Sequence, residues 1–216
     1  MPSTSSIQQV KVAQPEPTRQ HRYDGAVDRP RLTFDLDGVL CRPPFGINPG
    51  TGKHRRRDAP GKKGVLWMTE AWRYHGRRPM PGAVEGFRTF AERYDCVVVT
   101  ARGYPAEGLT RRWFERNFGF VPELHMRPSW EETSAQFKAR KMTELRPLAH
   151  FEDDPFTALW VAELVPQVFL VDWRRNRWLT AERVHRVATI GEANGYLPGG
   201  DAARTPGSWS GSHERA

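Results

Sequence analysis

The chain has 216 residues, room for one domain of ordinary size with a sizeable core, and its 38% hydrophobic and 11% aromatic content suits a globular protein. A mean hydropathy of -0.68 and 18 prolines put the excess polarity in tails and loops. Two isolated cysteines, Cys41 and Cys96, exclude a disulfide framework and a CxxC metal site; with no apolar leader and no run of about 18 apolar residues, the expectation is a cytoplasmic protein with no membrane partner.

Residues 1–29 are rich in Ser, Gln, Pro and charge and show no period. Residues 198–216 read the same way, so both are predicted to be disordered tails around one domain over 30–197. RLTFDLD opens that domain as a short β-rich run ending in Asp35 and Asp37. After an interruption over 41–80, GAVEGFRTFAERY has helical spacing, with Val84, Phe87, Phe90 and Tyr94 on one face. CVVVTA is again a strand, and YPAEGLTRRWFERNFG is a helix that brings Leu109, Trp113 and Phe114 together. ELHM, SAQFKARKMTEL, AHFED, PFTALWVAEL and QVFLVD continue the alternation of strand and helix. Strands this short and apolar fit a sheet covered on both faces. The predicted fold class is therefore α/β, a doubly wound, mostly parallel sheet with a small lid inserted after the first strand.

That insertion, 41–80, holds ten lysines and arginines against two acids, Asp58 and Glu70. Its net charge of +8 equals that of the whole chain, so the basic pI of 9.9 comes from this one segment. Two readings of GTGKHRRRDAPGKKG stay open: a nucleic-acid surface over residues 53–63, or a solvated run of charge. Trp67 and Trp72 are either a stacking surface or the insertion's small core. GTGK is not a P-loop, because GxxxxGK[ST] is incomplete and no buried strand precedes it.

In an open α/β sheet, ligands sit beyond the carboxyl ends of the strands. There the first strand delivers Asp35 and Asp37, the second Thr100 and Arg102, and the fourth Glu152, Asp153 and Asp154. A helix before the fourth strand offers Lys138 and Lys141. An EF-hand loop starting at Asp35 would need an acid at Gly46, so DLDG is not one. Asp154 before Pro155 also reads as a helix N-cap, and His150 as a packed or partnered core residue.

FDLDGV, VVVTARG, the lysine helix and FEDDP, in that order, resemble the four motifs of the haloacid dehalogenase-like (HAD) hydrolase superfamily over residues 30–172. DLDGV and TARG are also similar to deoxyribonucleotidases, and the lysine helix with DD to the phosphatase part of polynucleotide kinase/phosphatase, neither through the insertion. The resemblance implies a HAD-like Rossmannoid fold, a Mg²⁺-dependent phosphatase, and a cap in the insertion. Its phosphatase branches carry Asp where this chain has Asp37.

Phosphate monoesters hydrolyse very slowly unaided, so a catalyst needs a nucleophile, an acid and charge compensation. Asp35 is expected to attack phosphorus and form an aspartyl-phosphate. Asp37 is the expected general acid and then base, its pKa raised by neighbouring carboxylates. Mg²⁺ is expected on Asp35, the Asp37 backbone carbonyl and Asp153, with Asp154 in support. Thr100 would donate to a phosphoryl oxygen, and a lysine would neutralise it; Lys138, at the start of its helix, is favoured over Lys141. Gly38 would turn the chain and present backbone N–H groups to phosphate. Arg102 stays open between substrate contact and ion pair, and Arg55 and Arg56 are candidate clamps on an anionic substrate. That substrate is expected to be a nucleotide, a small phosphorylated metabolite or a nucleic-acid end. The alternative function is a nucleic-acid-binding protein that keeps the fold and uses its basic lid, with catalysis secondary or absent.

Overall fold

The computed structural model describes residues 29–43, 74–128 and 132–199. The predicted tails fall almost wholly outside the described residues, as do Arg55, Arg56, Trp67 and Trp72 of the insertion. Among the described residues, six strands form one sheet: β1 (Arg31–Phe34), β2 (Asp95–Gly103), β3 (Glu123–Arg127), β4 (Ala149–Glu152), β5 (Gln167–Val171) and β6 (Val184–Val187). Their order is β3-β2-β1-β4-β5-β6, and every pairing is parallel. The predicted α/β class holds, and the sheet is parallel throughout.

The connecting helices are α1 (Ala83–Ala91), α2 (Glu107–Phe118), α3 (Ser134–Leu145) and α4 (Pro155–Ala162). Side-chain alternation along the strands divides the core in two. Leu32, Phe34, Val98, Phe151, Phe169 and Val171 face α1, α2 and the 3₁₀ turn Ile190–Tyr196. Val97, Val99, Val168 and Leu170 face Phe137 and Met142 of α3 and Ala158 and Val161 of α4. One face is rich in aromatics and the other largely aliphatic.

The aromatic face sets the register beneath the strand tips. Phe34 is paired with Phe151 across β1 and β4, and Phe151 with Phe169 across β4 and β5. The Phe34 and Phe151 rings stack at 4.4 Å, Phe169 lies 5.0 Å from Phe151, and Phe87 of α1 packs 4.9 Å from Phe34. Offset aromatic pairs of this kind add to their area burial and hold neighbouring strands in step.

Strand β6 has no counterpart in the sequence reading. VHRV alternates no clear apolar face, and three of its four residues are only half buried. It joins the sheet through backbone bonds at both ends, with Val168 N–H donating to Arg183 O and Asp172 N–H to Val187 O, each at 2.8 Å. At the start of the insertion, Arg42 N–H donates to Arg78 O and Met80 N–H to Leu40 O, each at 2.8 Å, so its two feet lie side by side. No helix among the described residues is long and apolar enough to cross a membrane.

Gly86, inside α1, marks a close approach of this helix to the 3₁₀ turn Ile190–Tyr196. A Cβ there would lie 2.8 Å from Ile190 Cγ1 and 3.2 Å from the Gly191 backbone nitrogen. Gly to Ala in a helix interior ordinarily gains up to about 1 kcal/mol. Here overpacking against a buried branched side chain and a backbone atom costs about 1–3 kcal/mol. Gly86→Ala is therefore expected to lower the urea midpoint, and an unchanged or raised midpoint would show that α1 is not seated as described.

Candidate active site

Parallel pairing of β1 with β4 brings their two carboxyl ends together. Asp35 N–H donates to Phe151 O at 2.9 Å, so the residue after β1 stands beside Glu152 and Asp153. Carboxylate oxygens of Asp35, Glu152 and Asp153 all lie within 4.8 Å of one another, and all three residues are buried.

Helix α3 supplies the cation that faces them. Thr133 and Gln136 form a reciprocal capping box at its N-terminus, with Gln136 N–H donating to Thr133 Oγ1 and Thr133 N–H to Gln136 Oε1. Five residues in, Lys138 is 3% exposed, and its Nζ lies 2.9 Å from Asp35 Oδ2 and 2.7 Å from Glu152 Oε2. Lys141 instead turns outward and pairs with Glu144 on the surface. Behind Glu152, His150 Nε2 lies 3.3 Å from Glu152 Oε2, and Thr33 Oγ1 is 2.9 Å from His150 Nδ1. His150 is thus a buried, partnered core residue, and burial first of all lowers its pKa.

Burial pushes the Asp35 carboxyl up to about 7; Lys138 opposes the rise and Glu152 adds to it. Burial also drives Asp153 well above the ordinary carboxylate value, against the pull of Arg175 and with Glu152 and Asp35 adding to the rise. Glu152 behaves oppositely: burial disfavours its charge, but Lys138 and His150 outweigh that and hold it low. Glu152 Oε1 accepts the backbone N–H groups of Asp153 and Asp154 at 3.0 and 3.1 Å, while Oε2 faces Lys138. Its oxygens are thus engaged in holding the turn after β4 and the lysine.

Asp154 caps α4, accepting from Thr157 N–H at 2.9 Å and Thr157 Oγ1 at 2.8 Å, with Pro155 opening the helix as the sequence suggested. Arg175, from the 3₁₀ turn after β5, pairs with Asp153 and reaches Asp154 Oδ1 at 3.5 Å. Asn176 donates to the Asp153 carbonyl at 3.0 Å and to Val171 O at 2.8 Å, fixing that turn under the site.

Asp37 departs from expectation. Arg102 grips it in a two-pronged pair, Nε to Oδ2 at 2.8 Å and Nη2 to Oδ1 at 2.7 Å, and Arg77 pairs with the same Oδ1. Burial disfavours the Asp37 charge, but Arg102 and then Arg77 outweigh it, so its pKa is lowered where like-charge crowding was expected to raise it. Arg102 reaches Asp37 because β2 is irregular at its end: Thr100 pairs with Met126, and the next pair is Gly103 with Arg127. Arg102 lies within that register shift, the kind of irregularity that can turn a side chain away from regular strand alternation.

Gly38 has φ 91, a conformation that costs a side-chain-bearing residue but not glycine. Its N–H donates to Cys41 O at 2.9 Å, so this amide is engaged within the turn, where the sequence reading had presented it to phosphate; its carbonyl accepts from Trp173 Nε1 at 2.9 Å. Thr100 is buried, and its Oγ1 accepts the Arg102 N–H at 3.2 Å. The sequence reading gave no role to Glu152, Arg77 or Arg175. The strand-end rule, applied to β5 as it was to β1, β2 and β4, points directly at DWRRN and so at Arg175.

Removing one partner of a buried ion pair strands the other charge. Lys138→Met and Glu152→Gln are each expected to cost about 3 kcal/mol, and the double variant to cost less than their sum by about 1 kcal/mol or more. Urea denaturation of the four proteins measures this cycle. Simple additivity would show that Lys138 and Glu152 do not support each other.

No family model matches the chain, and no curated protein matches it in sequence. Solved structures do match in fold. A hydrolase from Pseudomonas syringae superposes with a TM-score of 0.53 at 15% identity, over 81% of this chain and 99% of its own. A haloacid dehalogenase-like family hydrolase from Streptococcus pneumoniae gives 0.51 at 13% identity, over 79% and 99%. A chain of the Pnkp1/Rnl/Hen1 RNA repair complex gives 0.50 at 15% identity, over 74% of this chain but 49% of that one. With six parallel strands in this order and four motif segments standing at one edge of the sheet, the chain has the haloacid dehalogenase-like fold.

Proposed function

We propose that the chain is a Mg²⁺-dependent phosphatase that hydrolyses a phosphate monoester through an aspartyl-phosphate on Asp35. The observation that carries this reading is the buried cluster of Asp35, Glu152 and Asp153 within 4.8 Å, with Lys138 against two of the three.

The donor set fits a hard divalent cation. Among the described residues, Lys138 stands against Asp35 and Glu152 and Arg175 against Asp153, and burial raises the pKa of Asp35 and Asp153, a rise that a bound cation would oppose. Glu152 has both oxygens engaged, which leaves Asp35 and Asp153 of the cluster as holders, and the family resemblance adds the backbone carbonyl of Asp37, with Asp154 in support. When bound, Mg²⁺ supplies the charge that lets a carboxylate approach a phosphate dianion.

The chain's own groups divide the rest. An Asp35 oxygen forms a bond to phosphorus as the ester P–O bond breaks, and Asp37 delivers a proton to the leaving oxygen. Water then attacks phosphorus, Asp37 takes its proton, and Asp35 is released with inorganic phosphate. Lys138 and Thr100 offer donors to the phosphoryl oxygens. Asp37 must first loosen its arginine clasp, and phosphate oxygens are the competing acceptors for Arg77 and Arg102. The insertion over 41–80 is the proposed lid, a reading supported by its two feet, Leu40–Arg42 and Arg78–Met80, lying side by side next to the Asp37 turn. Phosphorylated anions form the substrate class. Nucleic-acid ends remain within it, given the similarity in fold to a chain of an RNA repair complex.

Asp35→Asn is expected to reduce turnover of p-nitrophenyl phosphate in Mg²⁺ by at least about a thousandfold while the fold, read by circular dichroism, is retained. Wild-type-like activity in that variant would reject the mechanism. Mg²⁺ is expected to raise the Tm of the wild type and to raise that of Asp153→Asn markedly less. Equal shifts would place the cation elsewhere.

A further inference from the structure

Next to Asp37, through the Arg77 that pairs with it, lies a cavity of about 340 Å³, within the range of small-ligand sites. Two segments build it. The C-terminal foot of the insertion contributes Tyr74, Arg77 and Arg78, and α2 contributes Arg112, Trp113 and Arg116. Along α2, positions 109, 112, 113, 116 and 117 share one face, which in a helix covering a sheet would ordinarily be apolar. Arginines are interleaved there instead, and no acidic residue is among the described residues that line the cavity.

The aromatic residues anchor the arginines. Trp113 Nε1 donates to the Arg77 carbonyl at 2.8 Å. The Tyr74 ring lies 4.8 Å from the Arg77 guanidinium and 4.1 Å from that of Arg102. Both rings are nearly buried, so they are walls, and the open surface is cationic. Arg78, Arg112 and Arg116 are exposed, and no carboxylate among the described residues pairs with them. Arg77 belongs to both places: it lines the cavity and its guanidinium pairs with Asp37.

In the proposed reaction the side of Asp37 is the leaving-group side, because Asp37 would protonate the departing oxygen. A cavity there, lined by guanidinium forks and with no acid among its described lining, suits a phosphate, whose oxygens accept two parallel N–H bonds from each fork. We propose that this cavity binds a second, non-reacting phosphate carried by the leaving group. The substrate class is then a phosphomonoester bearing a further phosphate, such as a nucleoside bisphosphate or a phosphorylated nucleic-acid end. This inference rests on the phosphatase reading for the reacting phosphate but not for binding at the cavity.

The test compares wild type with Arg112→Gln/Arg116→Gln, two exposed sites whose exchange leaves the core untouched. Activity is measured on adenosine bisphosphate, an oligonucleotide with a terminal phosphate, and p-nitrophenyl phosphate. The double variant is expected to lower the kcat/KM ratio of either phosphorylated leaving group over p-nitrophenyl phosphate by about tenfold or more. In parallel, calorimetry on Asp35→Asn is expected to show adenosine bisphosphate binding more tightly than adenosine monophosphate, a preference lost when both arginines are also replaced. Hydrolysis of p-nitrophenyl phosphate with an unmoved ratio overturns the cavity and leaves the phosphatase reading intact. If nothing is hydrolysed, the phosphatase reading fails and calorimetry decides alone: equal affinity for the two nucleotides overturns the cavity. A greater arginine dependence for the oligonucleotide than for the bisphosphate identifies the source as a nucleic-acid end, and parity identifies a small molecule.

Discussion

The site depends on the register between two parallel strands. Phe34 stands opposite Phe151, their rings stack at 4.4 Å, and the next amide, Asp35 N–H, donates to the Phe151 carbonyl. Side chains alternate along a strand, so a slip of one residue would send Phe34 to the aliphatic face and break the stack with Phe151 and Phe169. It would also move Asp35 away from Glu152 and Asp153. Hydrophobic packing below the strand tips therefore fixes the separation of the carboxylates above them.

Holding those carboxylates together has a cost that packing alone does not offset. Buried charges are expensive unless paired, and a buried ion pair gains little over apolar residues of similar shape. The chain nevertheless runs a continuous polar line from Thr33 through His150, Glu152 and Lys138 to Asp35, across sheet positions that aliphatic residues could fill. Stability gives no reason for such a line. The proposed reaction does: in it Glu152, held ionised, keeps Lys138 charged and aimed, and Lys138 in turn orients Asp35.

The elements whose periodicity is strong were legible in the sequence. SAQFKARKMTEL spans the same residues as α3, and the three apolar strands at the sheet centre lie where CVVVTA, AHFED and QVFLVD put them. Strand β6 was not legible, because VHRV has no apolar run and is held by backbone bonds to β5. At the site, the carboxylates could be read because strand ends can be read. Their partners could not. Arg77 is one of ten basic residues in the insertion and nothing local sets it apart, while Arg102 reaches Asp37 only through a bulge whose register cannot be counted from one strand alone. The lowered pKa of Asp37 follows from both, so a sequence that shows only neighbouring acids points the wrong way.

The charge of the insertion then takes on a more specific meaning than a pI. Its excess of +8 looks diffuse in the sequence, yet Arg77, at its C-terminal foot, is fixed against Asp37, the acid proposed to exchange a proton. A guanidinium cannot be deprotonated at physiological pH, so Asp37 can be neutralised only by moving the guanidinium or giving it another anion. In the proposed reaction the substrate brings that anion. The clasp on Asp37 and the basic cavity beside it are then two positions of one ligand set, and the proton donor is freed only when phosphate has taken its place among the arginines.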